Sequence, residues 1–338
     1  MCHSKRALRA LAPACLLYAV VGCARVQVVT FEEHGTALTV RRPALYPETI
    51  EYDATHDTFL LSSFREGAVY RVDLSGNASL LVDDPRLCSV LGIAIDAERQ
   101  RLWAVNSDLG ASIKPSTAGP KRLAGVGIYD LKTGRPLNYV DLAPLVEGPH
   151  LMNGIALDPS GNAYVTDSFS PVIYKVSPEG RASVLLRDER FAGDAINLNG
   201  IVVHPDGYLL VIKKSDGRLF KVPLDRPTAA AQVAIRESFV GGDGLTLVGK
   251  NELVVIANRT PERTSNAAFS LSSVDGWSSA NVSAVRPLAD VYPTTAVLRG
   301  GSLYVVHSRL NELITLPAEQ KAQLRQEATI RSIARVAP

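Results

Sequence analysis

The chain has 338 residues, 46% hydrophobic and 21% charged, which excludes an intrinsically disordered polypeptide and provides for a large buried core. Lys and Arg number 36 against 34 Asp and Glu, a formal net charge of +2, with no long basic run. That balance excludes a nucleic-acid surface and a polybasic membrane patch.

Lys5, Arg6 and Arg9 form a positive segment ahead of the apolar "ALAPACLLYAVVG" (10–22). This run is too short for a stable membrane span and has the flanks of a signal peptide. It ends "VVGC" (20–23), which resembles the lipobox of bacterial lipoproteins. The resemblance implies that residues 1–23 are a leader and that Cys23 is lipidated. The expected product is exported and held by its lipid anchor alone, facing the periplasm or the cell surface. Of the four cysteines, Cys2, Cys15, Cys23 and Cys88, only Cys88 lies in the body of the protein. A disulfide framework and a cysteine-rich metal site are therefore excluded. The body, residues 24–338, is expected to form one domain.

From residue 47 onward the sequence repeats. "PETIEYDATHDTFLLSSFREGAVYRVD" (47–73) reads as three short strands separated by turns. "VLGIAIDAERQRLWAVNSD" (90–108) repeats the first two strands, and the Gly/Pro/Ser-rich "LGASIKPSTAGPKRLAG" (109–125) comes next as an inserted loop. "LMNGIALDPSGNAYVTDS" (151–168) and "NLNGIVVHPDGYLLVIKKSDGRLFKV" (197–222) share one pattern, each opening on Asn-Gly. "GDGLTLVGKNELVVIANRT" (242–260) and "YPTTAVLRGGSLYVVHSRLNELITL" (292–316) supply two more copies. The residues at the shared opening position are Glu48, Leu91, Asn153, Asn199, Asp243 and Thr294, spaced by 43, 62, 46, 44 and 51 residues. A four-stranded propeller blade takes about 40–50 residues, so the predicted fold is an all-β, six-bladed β-propeller with four-stranded antiparallel blades. "QVVTFEE" (27–33) and "ATIRSIARV" (328–336) are strand-like and are expected to complete or flank the last blade, which would protect its edge.

The first strand of a blade lines the central channel, so the six opening residues should ring one mouth of it. Glu48, Asn153, Asn199 and Asp243 offer two carboxylates and two amide oxygens, a hard donor set that suits Ca2+, with Mg2+ or Mn2+ as alternatives. Asn-Gly is also a turn dipeptide. Here the hairpin turns are already supplied downstream by "DPSGN" and "HPDGY". Residues ending the second strands should rise to the same face and meet a small-molecule substrate: Asn106, Asp167, Lys213, Lys214, Asn258 and His307. No Gly-x-Ser-x-Gly elbow, His-Glu-x-x-His or phosphate loop occurs, which excludes serine-hydrolase, zincin and NTPase chemistry.

"LMNGIALDPSGNAYVTDS", "LNGIVVHPDGYLLVI" and "GGDGLTLV" resemble the senescence-marker/gluconolactonase family of six-bladed propellers, to which regucalcin belongs. The resemblance spans most of residues 45–310 and implies that Glu48, Asn153, Asn199 and Asp243 bind a divalent metal. It also implies an acid/base role for Asp243. The family's sugar-gripping Arg is replaced by Leu151, so a sugar lactone is not the expected substrate. The implied activity is a metal-dependent hydrolase of lactone or ester type. The alternative is a non-catalytic propeller, monomeric by default, that binds a protein or small ligand over a structural metal.

Overall fold

The computed structural model describes residues 30–336 apart from 43, 115, 261–263, 289–291, 318–319 and 321–326, and leaves most side chains of Thr30–Arg41 and Glu327–Val336 undescribed. The leader, Cys23 and its lipidation lie outside the described residues. Within them the chain folds as a β-propeller of four-stranded antiparallel sheets.

Five blades are uninterrupted meanders. Blade 1 comprises Ile50–Asp53, Thr58–Ser63, Ala68–Val72 and Ala78–Asp83. Blade 2 comprises Ser89–Asp96, Arg101–Ser107, Ala124–Asp130 and Pro136–Asp141. Blade 3 is Met152–Leu157, Ala163–Asp167, Val172–Val176 and Ala182–Arg187, and blade 4 is Leu198–His204, Tyr208–Lys213, Arg218–Pro223 and Ala231–Gln232. Blade 5 is Gly242–Gly249, Glu252–Arg259, Thr264–Ser272 and Asn281–Pro287.

The expectation of six like blades is corrected to five blades and a composite closing sheet. The sixth sequence copy yields only two strands, Pro293–Arg299 and Ser302–His307, before the chain turns into a helix at Leu310–Thr315. The remaining strands of that sheet come from the two ends of the described chain, Glu327–Val336 and Thr30–Arg41. By its pattern the sixth copy looks equal to the others, because its opening strand and hairpin are intact. A helical turn then takes the place of its third strand.

Each blade presents apolar side chains to both neighbours, because alternate residues of a strand face opposite sides. Between blades 3 and 4, for example, Tyr164, Ile173, Phe191, Leu209, Phe220 and Val222 form one buried cluster. The innermost strands lie against one another in a closed ring. They enclose a channel cavity of about 300 Å3 lined by Ile93, Ile155, Ile201 and Leu245. Glu51 also faces this cavity, and burial pushes its carboxyl up to about 7.

Candidate functional site at the channel mouth

Four of the six opening residues are followed by glycine, and each of these glycines is dictated by its neighbour. A Cβ on Gly154 would stand 2.5 Å from the Asn199 carbonyl oxygen, and one on Gly200 would stand 2.3 Å from that of Asp243. Gly92 meets the Asn153 carbonyl and Gly244 that of Thr294 in the same way. At these four positions the innermost strands therefore approach too closely for a side chain, whereas Thr49 follows Glu48. Where the ring closes, Thr295 takes the place of glycine. Its hydroxyl donates to the Glu48 carbonyl at 3.2 Å and accepts from the Ile50 N–H at 3.1 Å. Leu91, Asn153, Asn199, Asp243, Thr294 and Glu48 consequently succeed one another round the channel mouth, all buried.

Into this ring comes Lys214, from the end of the second strand of blade 4. Its ammonium donates to Asp243 Oδ2 at 2.8 Å and to Asn258 Oδ1 at 2.5 Å, and lies 5.5 Å above the Tyr292 ring. The Asn258 amide donates to the same Asp243 oxygen and, at 2.9 Å, to the Pro293 carbonyl. Glu48 is close enough for its charge to be felt by this pair. Burial, and next the Asp243 charge, raise its carboxyl well above the usual range. A 2.7 Å hydrogen bond from Thr49 Oγ1 and the Lys214 charge oppose that rise without cancelling it. Burial pulls the Lys214 ammonium down, but the Asp243 carboxylate and the Tyr292 and Glu48 side chains hold it above its ordinary value. The result is a buried ion pair beside a carboxyl that favours its neutral form.

A cleft of about 940 Å3 opens over Lys214 and Tyr292, bounded by Ile196, Arg259, Asn311 and Ile314. Arg259, Tyr292 and Asn311 carry no signal in the repeat. Tyr292 lies two residues before an opening position, and Asn311 belongs to the helix that replaces a third strand.

Of the residues expected to meet substrate, Lys214 and Asn258 lie in the ring. Asn106 is spent inside blade 2, accepting from Cys88 N–H and donating to the Arg86 carbonyl and Tyr139. Asp167 accepts from His150 Nδ1 and from the N–H groups of Leu151, Phe169 and Ser170. Lys213 donates to the Arg190 and Ala192 carbonyls and pairs with Asp216 at 3.0 Å. His307 is buried opposite Pro293 in the closing sheet. Leu151 is packed in the core beneath blades 2 and 3.

Two observations decide how well the ring fits a divalent cation. In favour, Asn153 Oδ1 and Thr294 Oγ1 are buried oxygens without a hydrogen-bond partner among the described residues. Against it, an ammonium already sits on Asp243, and a Ca2+ ion would need that carboxylate at about 2.3–2.6 Å. Two cations on one carboxylate repel at that range. With Lys214 in this position the residues do not fit a divalent ion.

No family model and no curated protein matches the sequence. Solved structures do match it. The major Malassezia sympodialis allergen Mala s 1 is 18% identical over 88% of this chain and 95% of its own, with a TM-score of 0.68. A calcium-binding regucalcin from Agrobacterium tumefaciens is 19% identical over 91% of this chain and 97% of its own, TM-score 0.61. A putative gluconolactonase is 14% identical over 91% and 100%, TM-score 0.57. At these identities the likeness establishes the propeller fold, shared with regucalcin and gluconolactonase-type proteins, and nothing finer.

Proposed function

We propose that the protein is a hydrolase of lactones or esters acting at the channel mouth. The observation that carries this reading is the buried Lys214–Asp243 pair, close enough to Glu48 to feel its charge, whose lysine lines a cleft large enough for a small molecule. A buried carboxyl and a buried ammonium with displaced proton affinities, set beside a buried carboxylate, are the equipment of acid–base catalysis. Lys214 has three N–H donors, two of them engaged by Asp243 and Asn258. The third can hold the oxygen of a substrate carbonyl and stabilise the negative charge that develops there. Asp243 Oδ2 is occupied by both hydrogen bonds, which leaves Oδ1 to orient a water and take its proton as the water attacks the carbonyl carbon. Glu48, held neutral, gives a proton to the departing alkoxide oxygen. A lactone would open to its hydroxy acid with no group lost.

The fold shared with a putative gluconolactonase supports the lactone part of this reading. Leu151, at the position of the family's sugar-binding Arg, is packed in the core and offers no grip for a sugar acid. A panel of aliphatic lactones and aryl esters tests the reading, with Asp243→Asn as control. Turnover lowered at least about 100-fold in that variant is expected, and equal turnover would overturn the assignment. The second reading, a ligand-binding propeller without catalysis, is favoured by the engagement of Asp243 in an ion pair. It predicts saturable binding in the cleft with no product. Lipid anchoring at Cys23 remains part of the proposal, and Cys23→Ser should move the protein from the membrane to the soluble fraction.

A further inference from the structure

We propose that Lys214 is a tethered cation, occupying the place that a divalent metal would take in a ring of this composition, so that the folded protein needs no metal. Three observations carry this. The ring places the Asp243 carboxylate beside the carboxyl of Glu48 in a buried setting, where uncompensated negative charge is costly. The ammonium that compensates Asp243 is itself buried, bonded to that carboxylate at 2.8 Å and to Asn258 Oδ1 at 2.5 Å.

The third observation is positional. In blades 2, 3 and 5 the residue after the strand-two partner of the residue preceding the opening position faces the next blade. Ser107 accepts from the Met152 N–H at 2.7 Å, Ser168 donates to the Leu198 carbonyl at 2.5 Å, and Asn258 donates to the Pro293 carbonyl at 2.9 Å. All three tie down the backbone just ahead of the next opening residue. Lys214 holds the same position in blade 4, opposite the entry of blade 5. Its side chain passes that backbone and bonds to the opening residue itself, Asp243. A long cation stands where a short hydroxyl or amide would have completed the fold. That substitution neutralises the ring rather than bracing the blade.

The test is calcium and manganese binding by calorimetry, with thermal melts in EDTA and in CaCl2, on the wild-type body and on Lys214→Met. Wild type should give no saturable heat and the same melting temperature in both buffers. Lys214→Met should gain one site, with a dissociation constant in the range of about 10⁻⁴–10⁻³ M seen for open oxygen sites, and its melting temperature should rise with calcium. Stoichiometric binding by wild type would overturn the proposal. So would a folded Lys214→Met that binds neither ion. If Lys214→Met fails to fold in EDTA, refolding in calcium must recover it, and recovery in neither buffer also overturns the proposal. The readout is independent of turnover, so it stands or falls apart from the hydrolase reading.

Discussion

Blades 3 and 4 are near-copies, and they part company at two adjacent residues. Blade 3 ends its second strand with Asp167-Ser168, and blade 4 has Lys213-Lys214 at the same register. The first residue of each pair does one job with opposite sign. Asp167 gathers the N–H groups of its own loop, and Lys213 gathers carbonyls from the loop at Arg190 and Ala192. The second residues diverge. Ser168 accepts from the Asn153 amide and stitches blade 3 to the backbone of blade 4, whereas Lys214 reaches the side chain of Asp243 and the floor of the cleft. One side chain, on an otherwise similar hairpin, turns an inter-blade brace into a charged centre. The hairpin is scaffold, and the charge it carries is what distinguishes the candidate site.

Lys214→Met and Ser168→Ala, measured side by side, should give the widest separation. Removing the ammonium strands Asp243 in a buried ring, at a cost of about 3–5 kcal/mol. Trimming the Ser168 hydroxyl loses a neutral hydrogen bond worth about 1 kcal/mol. Urea melts of both variants check the contrast, and equal losses would reduce Lys214 to another brace. The glycines should show what the copies share. Gly154→Ala and Gly200→Ala each push a methyl group into the next strand's carbonyl. Both should cost about 1–3 kcal/mol of overpacking. A marked difference between the two would mean that the blades are not equivalent at ring level.

The repeat, its phase and the ring of opening residues were legible because they rest on local signals: strand alternation, turn dipeptides and an in-phase polar residue. The Gly of each Asn-Gly proved to be a matter of strand approach, which no turn rule encodes. Which lysine enters the ring was not legible. Adjacent residues point to opposite sides, and only the fold tells which side holds Asp243. The same alternation drew Asn106, Asp167 and Lys213 into the expected substrate face, when each is engaged by nearby backbone and side-chain groups. The closing sheet was half visible. Both terminal strands could be read, but the helix at Leu310–Thr315 hid under a sequence that continues the repeat.

The smallest expected effect separates the mouth of the channel from its interior. Glu48 at the mouth and Glu51 below it both have carboxyls raised by burial, Glu51 to about 7 and Glu48 further. A group that binds its proton more tightly when folded favours the folded state at low pH. Its contribution shrinks as pH rises from the unfolded value, near 4.5, through the folded one. Stability should therefore fall between about pH 5 and pH 8, by at most about 1.4 kcal/mol per pH unit for each carboxyl. Glu48→Gln should remove the upper part of that slope and Glu51→Gln the lower part, because glutamine cannot titrate. Only the first change touches the group proposed to protonate the leaving oxygen, so only Glu48→Gln should alter the alkaline limb of any hydrolase profile. If Glu51→Gln moved that limb as well, proton transfer would have to involve the channel interior, and the active centre would extend below the ring.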